Sequence, residues 1–202
     1  MAKEATKTIK IPATEYKRME AIIEGVTPLL VHRFGEKARK KLADNQTGKP
    51  KPAGKKGREP RDPKQDFMEA RYILSDKEDG FPAAGLKAAM VRAGMNNTEI
   101  PGTQLKGMFT IPAEFLTIIS AKPKMREDIV PIGGADFRYR PEYKKWSMKV
   151  PLRYNPNVIS SERVLHLLVM AGEFPGLGDW RGDSGKGGGT FGQFKVKEAR
   201  EW

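Results

Sequence analysis

The residues best suited to do chemistry lie in one glycine-dense stretch near the C-terminus, Gly176-Leu177-Gly178-Asp179-Trp180-Arg181-Gly182-Asp183-Ser184-Gly185-Lys186-Gly187-Gly188-Gly189-Thr190. Glycine costs backbone entropy, so this density predicts positive φ angles or close approach of the backbone by a partner. Trp180 offers a flat aromatic face, and Arg181 and Lys186 offer positive charge beside exposed backbone N–H groups. Those features together suit an anionic, planar ligand, and a nucleic-acid strand fits: phosphate on the cations and backbone, a base on the ring. Trp180 has a second reading, as an anchor for the loop.

Other strings in the chain invite different chemistry. Gly182-Asp183-Ser184-Gly185 looks like the surroundings of a serine nucleophile, yet no His and Asp partners accompany it. Gly182 to Lys186 is not a phosphate-binding P-loop, because Gly187 rather than Ser or Thr follows the lysine and a strand follows the loop. His32 is the one catalytic candidate, as a general acid or base, against the plainer readings of a structural histidine or a nucleic-acid contact. Asp44, Asp62 and Asp66 are the carboxylates available for metal-assisted cleavage, but none sits in a motif. His166 falls mid-helix beside apolar neighbours and reads as packing. With no cysteine and two histidines, thiolate and histidine metal sites are not expected, and no cofactor is implied.

The 202 residues carry 37 Lys/Arg against 25 Asp/Glu, a formal charge of +12 and a pI near 9.8. That balance favours polyanionic partners. The length suits a single domain over 1–202. No apolar run reaches membrane-spanning length and the first residues lack a signal-peptide core, so the expected place is the cytoplasm, with no membrane.

The positive charge is concentrated. From Arg33 through Asp66 there are twelve Lys/Arg and five Asp/Glu, a net +7, and residues 48–66 are rich in proline and glycine with almost no apolar side chains. Such a segment cannot bury enough surface to order itself. It reads as a basic insertion that grips phosphates through Arg33, Lys37, Arg39, Lys40, Lys41, Lys55, Lys56 and Arg58, or else as a solvated linker. Around it, periodicity predicts a strand over about 18–26, basic helical turns over 36–42, a helical stretch over 66–72, and a helix over 82–94 bearing Lys87. Next come strands over 104–111 and 114–119 and an irregular charged insertion over 120–145 that carries Arg138 and Arg140. A strand over 146–154, a helix over 160–171 and a strand over 190–197 complete the chain. Collapsed, the order is β-α-β-β-α-β, an α+β, ferredoxin-like unit of the kind seen in RNA-recognition domains, whose open sheet face takes single-stranded bases.

Three pieces in that order resemble one family. They are Gly25-Val26-Thr27-Pro28-Leu29-Leu30-Val31-His32, the helix start Phe81-Pro82-Ala83-Ala84-Gly85-Leu86-Lys87-Ala88-Ala89-Met90, and Gly187-Gly188-Gly189-Thr190-Phe191-Gly192-Gln193-Phe194-Lys195-Val196. Together they are similar to the RAMP superfamily of CRISPR-associated proteins, and phage proteins ending in a Gly-Leu-Gly-Asp-Trp-Arg stretch look like relatives. The chain departs from the family at His32 and Arg33, where many members have glycines, and in its very basic insertion. The resemblance implies a ferredoxin-like core that binds single-stranded RNA and oligomerises along a guide, with 120–145 in the place of a thumb between subunits. It also leaves open a guide-processing endoribonuclease that uses His32, or a phage recombination or replication factor that holds single-stranded DNA.

Overall fold

The computed structural model describes residues 15–35, 39–40, 43–44, 46–47, 62–131, 135–185 and 188–202. Most of the basic insertion therefore lies outside the described residues. The chain is mixed α+β, with two antiparallel sheets and four helices among those residues.

Strand β1 (Lys17–Gly25) alternates, with Met19, Ala21 and Ile23 buried. Pro28 interrupts the backbone, and β2 (Leu29–Leu30) restarts it in a different sheet. Helix α1 (Pro63–Glu69) begins at a proline and is capped by Asp62, whose Oδ1 accepts from the N–H groups of Lys64 and Gln65 at 2.9 and 3.2 Å. The helix expected at 66–72 thus starts three residues earlier, and Asp62 is a cap. Strands β3 (Ile73–Ser75) and β4 (Glu78–Pro82) form a hairpin ahead of α2 (Ala83–Asn97). Gly94 does not end α2 but lies buried inside it. A Cβ there would stand 2.8 Å from both Leu105 and Leu167, so glycine lets the neighbouring side chains close onto the helix.

The expected strand over 104–111 is instead α3 (Gly102–Met108) followed by the two-residue β5 (Phe109–Thr110). Leu105 and Met108 stand three apart, the spacing of one helix face, and Leu105 is buried against α2. Strand β6 (Phe115–Ser120) follows. The stretch expected to be irregular is an ordered hairpin of β7 (Lys124–Pro131) and β8 (Ala135–Tyr143). Strand β9 occupies Trp146–Tyr154, as its alternation predicts, with Trp146, Met148, Val150, Leu152 and Tyr154 inward. Helix α4 (Ser161–Glu173) is capped by Ser160, and β10 (Phe194–Glu201) ends the fold.

The large sheet runs β10-β1-β9-β6-β4-β3, with β5 also paired to β9; β10 and β3 are its edges. Helices α2 and α4 pack on one face and bury a continuous apolar core. The other face of the central strands presents Arg18, Glu20, Ile22 and Glu24 from β1 and Ser147, Lys149, Pro151 and Arg153 from β9. No aromatic ring lies on β1 or β9 at that face, the exposed Tyr16 just before β1 lies against Arg153 at 3.9 Å, and the charges are mixed, Arg18, Lys149 and Arg153 with Glu20 and Glu24. The small sheet runs β2-β8-β7. Among the described residues no helix is long and apolar enough to cross a membrane.

Candidate nucleic-acid interface

The glycine loop between α4 and β10 is sewn onto the segment that joins β1 to β2. The Asp179 N–H donates to the Leu30 carbonyl at 2.8 Å, the Gly192 N–H to Pro28 at 2.8 Å, and the Gln193 N–H to the Thr27 hydroxyl at 3.0 Å. Gly178 and Gly192 have φ of 77° and 73°, and a Cβ on either would collide with the carbonyl oxygen of Leu30 or Leu177. At these two positions the close approach that demands glycine is therefore the chain's own, not a partner's.

Trp180 is the only described non-glycine residue with a positive φ, 52°. Such a conformation is strained for a bulky side chain and persists only where its surroundings fix it. Those surroundings come from the hairpin and from Phe191, just ahead of β10. The Arg140 guanidinium lies 4.3 Å from the indole centroid, Arg126 lies 5.6 Å from it, and Phe191 packs on it at 6.0 Å. Of the two sequence readings of Trp180, the contacts are those of the loop anchor.

Beside the ring runs a ladder of alternating charges. Arg140 is 0% exposed and binds Asp128 at 2.6 Å and Asp179 at 2.9 Å. Asp128 also accepts from Arg126 at 2.9 Å, and Asp179 lies 3.4 Å from Nδ1 of His32. Burial alone would raise the Asp179 pKa, but the hydrogen bonds and charges of His32 and Arg140 outweigh it and hold the carboxyl below its usual range. A second buried cluster lies nearby, where Asp79 accepts from Arg71 at 2.9 Å and from the Tyr143 hydroxyl at 2.7 Å. Burial and that hydrogen bond push the Tyr143 phenol well above its ordinary value. The expectation that Arg140 meets phosphate is corrected here, because it has no exposed surface and both terminal nitrogens are engaged inside the protein.

A cleft of about 250 Å³ opens between this loop and α2. Gly176, Leu177, Gly178, Asp179 and Arg181 form one wall, Gly85, Ala88 and Arg92 of α2 form the other, and His32, Tyr72 and Phe81 contribute from the strands and their links. Gly85, Ala88 and Arg92 follow the helical spacing of three and four, so two small residues leave room for the groove and the arginine closes its end. Across the mouth, Asp183 of the loop pairs with Arg92 and, at 2.6 Å, with Arg181.

Of the predicted contacts, His32 and Arg181 come together in this cleft. Arg33 is half-buried beside it, its guanidinium 6.0 Å from the Tyr72 ring. Arg39 and Lys40 are exposed. Lys87 leans over Phe109 at 5.8 Å, apart from the cleft lining, and Arg138 is half-buried across from Asp128 in the hairpin. Lys37, Lys41, Lys55, Lys56, Arg58 and Lys186 lie outside the described residues. His166 is exposed on α4 rather than packed, beside a groove of about 510 Å³ lined by Ile100, Leu105, Ile159 and Arg163. Ser184 donates its hydroxyl to the Arg181 carbonyl at 2.7 Å, a turn-stabilising role. Asp62 caps α1, and among the described residues no three His, Asp or Glu side chains gather as a metal site.

Asp179, Arg92 and Asp183 were not anticipated from the sequence. Asp179 and Asp183 sat in view within the loop, and the spacing of Gly85, Ala88 and Arg92 was the signal for the helix wall. No protein-family model matches the chain, and no curated protein matches it.

Proposed function

We propose that this chain holds a single-stranded nucleic acid, RNA before DNA, in the cleft between the glycine loop and α2. The observation that carries this reading is position: His32 lines the cleft, and the next residue begins the basic segment with over half of the chain's net charge of +12. A strand that enters the cleft meets Arg181, with Arg33 beside it and the exposed Arg39 and Lys40 following in sequence. Nucleic-acid affinity of this kind is largely electrostatic.

The order β10-β1-β9-β6, antiparallel throughout with α2 and α4 on one face, supports reading the core as ferredoxin-like within a RAMP-type protein. On that reading the strand is held at the glycine loop rather than spread over the open sheet face, and copies line up along it in the cytoplasm. Fluorescence-anisotropy titration with a labelled single-stranded oligoribonucleotide tests this. Binding that weakens steeply with salt is expected, with a log–log slope of about −0.7 per phosphate neutralised. Absent or salt-insensitive binding rejects it, and competition with a matched DNA oligonucleotide separates the guide-binding from the phage DNA-binding reading.

One observation favours a second reading, endoribonuclease action. His32 has an orienting carboxylate, Asp179, at Nδ1, which is how a histidine is prepared for general acid–base work. RNA cleavage that disappears in His32→Ala supports it; cleavage unchanged in that variant removes it.

A further inference from the structure

We propose that Arg92 and Arg181 form a backbone-phosphate site that the free chain fills with its own Asp183, so that a bound strand exchanges its phosphate for that carboxylate. This rests on the nucleic-acid reading for its natural ligand but not for its chemistry. Two guanidinium groups from separate elements, the glycine loop and α2, converge on one carboxylate at the mouth of the cleft. Guanidinium forks recognise carboxylate and phosphate alike, and a backbone phosphodiester carries two free oxygens, one for each fork.

The present occupant satisfies charge but not geometry. The Nε atoms of Arg92 and Arg181 are both buried, lie within ion-pairing reach of Asp183, and still donate no aligned hydrogen bond. Asp183 is exposed and stands at the loop tip two residues before Gly185, around which nothing lies within 4 Å of a would-be Cβ. Its side chain already keeps 29% of its surface in water, so it gives up the pair more readily than a buried carboxylate does. Arg140 differs: its partner Asp128 is buried, so opening that pair would strand a charge. Asp183 also ties the loop to the helix, so the exchange unfastens one wall of the cleft as the strand seats.

The test titrates wild type, Asp183→Asn and the double variant Arg92→Ala/Asp183→Asn with two probes, inorganic pyrophosphate by calorimetry and a labelled single-stranded oligoribonucleotide by anisotropy. Thermal melts check that each variant folds, and Asp183→Ala serves as a second neutral variant. Removing the internal competitor is expected to tighten pyrophosphate binding by about three- to tenfold, and removing Arg92 is expected to abolish that gain. If neither neutral variant gains affinity for pyrophosphate, the proposal is overturned, even where the oligonucleotide binds. If the pyrophosphate gain appears but no oligonucleotide binds any form, the phosphate site stands and the nucleic-acid reading falls.

Discussion

The large sheet turns Met19, Ala21 and Ile23 of β1 and Trp146, Met148, Val150 and Leu152 of β9 onto α2 and α4. The hairpin of the small sheet turns Arg140 and Asp128 inward to the glycine loop, and leaves Met125, Ile129 and Phe137 exposed on its other face. Apolar burial is non-directional and tolerates small rearrangements. Buried ion pairs depend on every partner being present, because removing one strands the other in a medium that solvates charge poorly. The loop that shapes the cleft thus rests on the less forgiving of the two supports.

The sharpest way to break this contrast is Arg140→Ala. It removes the cation that Asp128 and Asp179 share, leaving Asp128 to Arg126 and Asp179 to His32, and takes away the partner that stacks on Trp180. A loss of about 3–5 kcal/mol is expected from denaturant midpoints, with amide exchange rising first in β7, β8 and the glycine loop. A loss below about 1 kcal/mol would mean that the hairpin holds without its ladder. In the large sheet's core, Gly94→Ala forces a methyl against Leu105 and Leu167. It should cost about 1–3 kcal/mol with no preference for any one region in exchange. A stabilised Gly94→Ala, as bare helix propensity would give, would refute the tight packing.

The smallest effect comes from acid. Asp179 is held below its unfolded pKa, so it contributes stability above the usual carboxylate range, and that contribution is lost as pH falls through its folded value. Thermal melts of wild type and Asp179→Asn should differ most at neutral pH and converge below about pH 4, because the variant has no carboxylate to protonate. A gap that stays constant with pH would assign the effect to shape rather than charge.

The same contrast explains what could be read in the residues themselves. The bounds of β9 follow from Trp146, Met148, Val150 and Leu152 alternating with polar neighbours, and α4 from its serine cap and apolar face. The hairpin over 124–143 also alternates, Phe137, Tyr139 and Tyr143 against Arg138, Arg140 and Glu142, but it buries Arg140 and Asp128 while Ile129 and Phe137 stay exposed, so the period is legible and the choice of inward face is not. For the cleft, His32 and Arg181 were legible as isolated chemistry-bearing residues. Their partners were not, since Asp179 meets Arg140 39 residues away in sequence and Arg92 meets Asp183 only through the fold. The glycine density pointed correctly to positive φ and close approach, while the approaching group at Gly178 and Gly192 proved to be the chain's own backbone.

The two ends of the large sheet carry a consequence for self-association. At one end β3 is only three residues long, and at the other β10 sets Lys195, Lys197, Glu198, Arg200 and Glu201 along its length. A short rim and a densely charged rim both discourage a neighbour from adding its own strand. On the reading proposed above, neighbouring copies would meet through side-chain surfaces and loops rather than by pairing these two edges, and one copy would part from the next without unzipping a sheet.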